Sequence, residues 1–267
     1  MPNHFTSIGF PIHDESSYRH YAELALEYGA RFDTPGGGYV RWRAGEGAEL
    51  WVQLDGGTRA VGMAPHFASR VRRRVAVTRV VRRPDESALE GALHAWANPA
   101  GDDPESGDYP FVFDLPDFDR VAALALPATA ELQLAAFAHQ LEVHASDEAF
   151  DRSQASEMKF APESFIPSGL FTPGEGAVEP PRAEAIFAGH VRESALRTNP
   201  VSGLTFQWAR VHTLGGELDL VADPELAPAG IPVGGVVHGS FWLSGRLPDV
   251  TPVERPKRAA WQWVSRA

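Results

Sequence analysis

Residues 211–221 read VHTLGGELDLV, and the fold turns on how this stretch is paired. On both sides of the two glycines the residue character alternates with a period of two, the spacing of a strand with one buried face. Val211, Thr213, Leu218 and Leu220 fall on one face. Trp208, Arg210, His212, Glu217 and Asp219 fall on the other. Glycine tolerates the positive φ values of a two-residue hairpin turn. With Gly215 and Gly216 as that turn, Leu214 opposes Glu217, Thr213 opposes Leu218 and His212 opposes Asp219.

The segment VVHGSFWLSG, residues 236–245, repeats the pattern. Val237, Phe241 and Leu243 point one way. His238, Ser240, Trp242 and Ser244 point the other. If both segments share a sheet, Trp208, Arg210, His212, Asp219, His238 and Trp242 converge on one surface. Two aromatic walls and a few polar anchors are the makings of a small-molecule pocket. The plain alternative is a solvated sheet face, where a cross-strand His–Asp pair is worth roughly 0.2–1 kcal/mol and needs no function. His212 and His238 with a carboxylate also form the outline of a divalent-metal set.

The rest of the chain divides by pattern. Residues 1–70 form a mixed unit and residues 71–160 a β-rich unit with a short helix after Ser146. Residues 161–182 are a Pro/Gly-rich connector, and residues 183–267 a second β-rich unit and tail. The two later units echo each other. LEGALHAWANP followed by YPFVFDLP parallels FAGHVRESALRTNP followed by GLTFQWARVH, with Gly91 matching Gly189 and Asn98-Pro99 matching Asn199-Pro200. Short strands with glycine corners resemble an OB-like or similar small barrel, whose closure removes sheet edges.

In the first unit, HFTSIGF reads as a strand. Asp14 is a helix N-cap, Tyr18, Tyr21, Ala25 and Tyr28 share a helix face, and Gly29 ends the helix. GGGYVRWRAGEGAELWVQLDGG is a hairpin around Gly45 and Gly47, with Leu50, Val52 and Leu54 opposite Glu49, Trp51, Gln53 and Asp55. RAVGMAPHFA is a last strand. This βαβββ order, carried by the helix from Asp14 to Gly29 and by GAELWVQLDGG, resembles one module of the vicinal oxygen chelate family, the glyoxalase and bleomycin-resistance group. The resemblance covers about a quarter of the chain. It implies a divalent metal held by a His on the first strand and a Glu on a later one. Glu49 matches the Glu position; the His position falls near Ile8, with His4 upstream and His13 at the helix start.

The chain of 267 residues has no cysteine, which excludes disulfides, thiolate metal sites and cysteine nucleophiles. No Gly-rich phosphate loop, G-x-S-x-G elbow or H-E-x-x-H motif is present. The N-terminus has no signal-peptide pattern and no apolar run approaches the ~20 residues of a membrane span, so a cytoplasmic location is expected. Net charge is −11, which disfavours nucleic acid unless positive charge is segregated. The one segregated run, RVRRRVAVTRVVRR at residues 70–83, puts arginines on both strand faces, and the acidic loop at residues 102–108 could meet it. Asp117 and Asp119 read as turn chemistry beside Pro116, and Glu142 and His144 as an exposed strand end.

The reading is an α+β, β-dominant protein, a βαβββ module followed by small antiparallel β-barrel-like units. It binds a small molecule or a partner segment without catalysis. The alternatives are a metal-dependent enzyme of vicinal oxygen chelate type and a nucleic-acid-binding barrel. A small molecule is the leading partner, a homodimer is allowed and a membrane is not expected. The sequence names no cofactor; a divalent metal is the lesser alternative.

Overall fold

A computed structural model describes residues 2–101, 103–155, 159–170 and 179–248, with the backbone of 254–255 and 262–263. The fold is β-dominant. The first unit has one helix, α1 (Glu15–Tyr28), and a meander of four antiparallel strands: β1 (Ala30–Thr34), β2 (Gly37–Gly45), β3 (Ala48–Asp55) and β4 (Arg59–Phe67). Asp14 accepts from Ser17 N–H and the Ser17 hydroxyl accepts from Asp14 N–H, a reciprocal cap. Gly29 ends the helix for a reason other than left-handed geometry. Its φ is −80°, but a Cβ there would lie 2.5 Å from Ala25 O and from Val40 Cγ1.

Three expectations are corrected here. HFTSIGF holds a 3-10 turn, Thr6–Ile8, not a strand. Asn3 draws it closed, its side-chain oxygen accepting from the N–H groups of Phe5 and Thr6. Residues 30–34 add the unexpected strand β1, so the order is helix and then four strands. Tyr28 lies exposed rather than on the buried helix face, which Tyr21, Ala22, Ala25 and Leu26 form.

The second sheet contains β5 (Arg73–Val81), β6 (Ala92–Ala97), β7 (Pro110–Asp114), β8 (Ala128–His144), β9 (Ser164–Ile166), β10 (Glu184–Thr198), β11 (Thr205–Thr213), β12 (Gly216–Ala222) and β13 (Val236–Arg246). A second helix, α2 (Asp147–Ser153), is capped by Ser146. Residues 86–96, ambiguous between helix and strand from the sequence, hold most of β6. The connector is partly ordered by β9, which pairs with β10; residues 171–178 lie outside the described residues.

The pairings close two rings. β8 and β13 pair antiparallel from Val236↔His144 to Arg246↔Gln133. The other edge of β13 is shared end to end by β10 and then β7, at Ser244↔Asp114. The other edge of β8 is shared by β12 and then β5. One five-stranded ring therefore runs β8–β13–β10–β11–β12, and a second runs β8–β13–β7–β6–β5. One ribbon belongs to both. Their interiors form one apolar core. Four stacked rings run through it, Tyr109 on Phe165 at 4.5 Å, Phe165 on Phe187 at 5.8 Å and Phe187 on Phe241 at 3.9 Å.

The β11–β12 turn falls on Leu214 and Gly215, one residue earlier than expected. Thr213 pairs with Gly216, His212 with Glu217 and Arg210 with Asp219. The faces survive, because moving the turn by one residue shifts each partner by two. The cause is tertiary: Tyr109 donates to Leu214 O at 2.8 Å, and Arg73 donates to Gly215 O. Gly215, with φ +80°, sits so close to Tyr109 and Arg73 that a side chain would collide with both.

Part of the outer face of this sheet is covered rather than solvated. Trp208, Val221, Phe137 and Trp242 form one lateral row across β11, β12, β8 and β13. Phe10, Tyr21, Trp42 and Phe67 of the first unit pack into the same cluster. Burying an aromatic or branched side chain is worth about 1.5–3 kcal/mol each, so this row is a strong bond between the units. The apolar face of the small sheet (Val40, Leu50, Val52, Leu54) belongs to that cluster. Its opposite face, with Arg41, Glu49, Trp51, Gln53 and His66, is also buried.

Candidate functional site

The six residues expected on one surface do share the outer face, but they fall into separate neighbourhoods. Trp208, Arg210 and Asp219 meet in one cleft of about 410 Å³. It lies where the β2–β3 turn and the end of β4 (Glu46, Gly47, Phe67, Ala68, Arg70) face β10 to β12. Trp208 donates from Nε1 to Asp219 Oδ1 at 3.0 Å. The Arg197 guanidinium stacks 3.7 Å from the Trp208 ring centre and donates to Glu46 O at 2.9 Å. Arg210 pairs with Glu193 at 2.8 Å, yet its Nε is buried with no partner among the described residues. Arg70 is exposed at the rim and forms no described ion pair. Asp219 is 2% exposed. Burial raises its pKa, outweighing the Trp208 hydrogen bond and the charges of Arg210 and Arg197.

Trp242 stands in a different place. His4 stacks on it at 4.4 Å, and His4 Nε2 lies 2.7 Å from His139 Nε2. Burial, and then the His139 charge, lowers the His4 pKa to about 4. On its other flank Trp242 donates from Nε1 to Asp114 Oδ2 at 2.7 Å. Burial raises the Asp114 pKa against the opposing pull of Arg83.

His212 and His238 do not meet. His212 pairs in register with His190 and lies 3.9 Å from Glu163. His190 is held between Glu163 and Asp147, each at 2.8 Å. Burial pulls the His190 pKa down, but these two carboxylates together raise it. His238 sits 3.8 Å from Glu142, with His144 also near that carboxylate at 3.5 Å and Phe160 against the His238 ring at 4.8 Å. The His144–Glu142 pair is therefore part of a small cluster rather than a bare strand end.

Glu49 is committed elsewhere. Its carboxylate accepts from Trp51 Nε1 at 2.9 Å and from Arg43 Nε at 3.3 Å. His66 stands opposite it in register, and Arg41 and Arg246 supply positive charge beside that imidazole. Among the described residues no group of three His, Asp or Glu side chains is placed to hold a metal ion. His4 lies against the barrel, and His13 is at the helix start with its N–H donated to Ser17.

The arginine run is dispersed. Arg73 is buried and bonded to Tyr109 and the β11–β12 turn. Arg83 holds Glu86 and Asp114, and Arg82 lies over Phe118 at 4.5 Å. Within the acidic loop Asp108 accepts from Asn98 and Asp103 caps its own turn, while Asp102 lies outside the described residues. Asp117 is not turn chemistry: its carboxylate is buried and accepts from Arg120 and Arg246. Asp119 likewise reaches across to Gly36 N–H at 2.7 Å.

Sequence reasoning missed two sets of residues. Arg70 and Arg197 join the Trp208 cleft from positions distant in sequence. His66 Nδ1 lies 2.8 Å from Ser244 Oγ, and its Nε2 is buried with no partner. This pair lacks the acceptor that orients a catalytic imidazole. Burial, with Arg246 and Arg41 beside it, holds His66 neutral with a pKa well below the usual imidazole range. No local motif marks either set.

Comparison of the chain with protein-family models, with curated proteins and with solved structures finds no match. No helix among the described residues is long and apolar enough to cross a membrane.

Proposed function

We propose that the protein binds a small anionic molecule, bearing a carboxylate or phosphate, in the cleft between its first unit and the β10–β12 face. The observation that carries this reading is the convergence of Arg70, Arg197 and Arg210 on one cleft beside Trp208. Guanidinium groups pair with carboxylate and phosphate through two parallel N–H donors. Arg197 is already fixed by its stack on Trp208, so less side-chain freedom is lost on binding. Arg70 and the buried Nε of Arg210 have donors to spare. Glu193, Glu46 and Asp219 oppose an anion, but the raised pKa of Asp219 weakens its share. Local positive charge of this kind draws an anion to a chain that is acidic overall.

The test is titration of the full chain with inorganic phosphate and with succinate, read by tryptophan fluorescence. A saturable change is expected for at least one anion. It should weaken by about tenfold or more in Arg70→Ala and in Arg197→Ala, a loss of the size of one charged hydrogen bond. A fluorescence response that never saturates, or that both variants leave intact, overturns the reading.

A further inference from the structure

A second cavity, of about 160 Å³, lies between the first unit and the barrel and shares no lining residue with the arginine cleft. β3 and β4 contribute Gln53, Ala64 and Pro65 to its wall, β13 contributes Trp242 and Ser244, and Pro116 stands beside them. Three carboxylates also line it, and each is already engaged. Glu86 holds Arg83, Asp114 accepts from Arg83 and from Trp242 Nε1, and Glu90 accepts from Ser87 N–H. Gln53 differs from them. It is 3% exposed, its Oε1 is buried with no hydrogen-bond partner among the described residues, and its Nε2 donates to none of them. Gly62 stands opposite it on β4, and the register slips between Gln53 and Leu54. A glycine leaves room beside the side chain, and a bulge re-aims it. Both ends of the Gln53 amide are therefore unused at the wall of a cavity.

We infer that this cavity takes a small uncharged carboxamide that pairs edge to edge with the Gln53 side chain. A carboxamide has an N–H for Gln53 Oε1 and a C=O for Gln53 Nε2, so one ligand group answers both ends. Ser244 Oγ spends one bond on His66 Nδ1 and, as a hydroxyl, keeps an acceptor site for the second ligand N–H. The charges at the wall select against ions. Three carboxylates repel an anion. A cation gains little from carboxylates that are already hydrogen-bonded, two of them to Arg83. The short apolar body of the ligand meets Ala64, Pro65 and Pro116. Trp242 and Arg83 are both held by Asp114, so this wall is preformed.

The experiment is a saturation-transfer NMR titration of the full chain with propionamide, and with 2-butanone and sodium propionate as controls. The three probes have nearly one shape and differ in the group that faces Gln53: an amide, a methyl ketone with no donor, and an anion. Saturable binding of propionamide is expected, with the two controls at least about tenfold weaker, the equivalent of one hydrogen bond. Gln53→Leu should weaken propionamide by about tenfold and bring it level with 2-butanone. Should Gln53→Leu fail to fold, Ala64→Leu serves, because it fills the cavity from β4 and should abolish the binding. Arg197→Ala, which disables the other cleft, should leave the binding unchanged. The inference is overturned if propionamide gives no saturable signal, if 2-butanone or propionate binds as well, if the cavity variant leaves the affinity intact, or if Arg197→Ala removes it.

Discussion

Trp208 and Trp242 stand at the two ends of one lateral row, joined through Val221 and Phe137, and each donates its indole N–H to a different carboxylate, the buried Asp219 and the partly buried Asp114. Trp208 reaches Asp219 in the arginine cleft, and Trp242 reaches Asp114 in the acidic cavity. The same row is covered by the first unit, so the packing that joins the units also sets the depth of both sites.

Asp219 sits in that arrangement with its pKa raised by burial. The folded state then binds its proton more readily than the unfolded chain. Its contribution to stability is fully present below the ordinary carboxylate range and is lost as pH rises through the raised folded value. Asp219→Asn keeps an acceptor for Trp208 and removes the charge. Thermal melts at pH 7 should place the variant level with the parent or a few degrees above it, and the difference should vanish near pH 4. A variant melting well below the parent at pH 7 would show that Arg197 and Arg210 depend on the charge.

His4 works in the opposite direction. Its pKa is lowered to about 4 by burial and by His139. The unfolded chain binds the proton first, so stability falls as pH drops from about 6.5 towards 4. His66 and His94, both lowered by burial, add to the same slope. His4→Gln should flatten the stability curve in that window, by at most a few kcal/mol at its acid end. Urea midpoints measured at pH 7 and pH 4.5 check it; an unchanged slope would mean His4 is not held neutral by the fold.

Two glycines separate backbone strain from crowding. Gly47 has φ +91°, and a Cβ there would lie 2.5 Å from the Phe67 ring. Gly203 has φ +74° and open space around it. Gly203→Ala should cost about 1–2 kcal/mol, the left-handed penalty alone. Gly47→Ala should cost more, because Phe67 must shift and it also lines the arginine cleft. Chemical denaturation gives both numbers, and equal losses would refute the crowding argument.

Much of the β architecture was legible because alternation survives tertiary context. The faces of Val211, Thr213, Leu218 and Leu220, and of Val237, Phe241 and Leu243, are as the pattern gives them. Partners were less legible. The turn at Leu214 and Gly215 is fixed by Tyr109 and Arg73, more than a hundred residues earlier, and no local signal carries that. HFTSIGF has strand-forming residues, yet Asn3 folds it into a 3-10 turn. Whether the polar outer face is a pocket wall or solvated was left open, because alternation cannot say what lies on top of a sheet. For the same reason Arg70, Arg197, Gln53 and Ser244 carried no mark: each gains meaning from a residue on a distant strand.

The shared ribbon of β8 and β13 also orders events in time. Strands β5 to β7 emerge early during synthesis, but the edge of β7 waits for β13, near the end of the described chain, before its ring can seal. Until then both half-built sheets carry open edges, the kind of surface on which chains pair with one another. One late strand closes both rings at once, so neither can mature without the other. A truncation just before residue 236 should therefore yield no folded half, but a chain that aggregates as a whole.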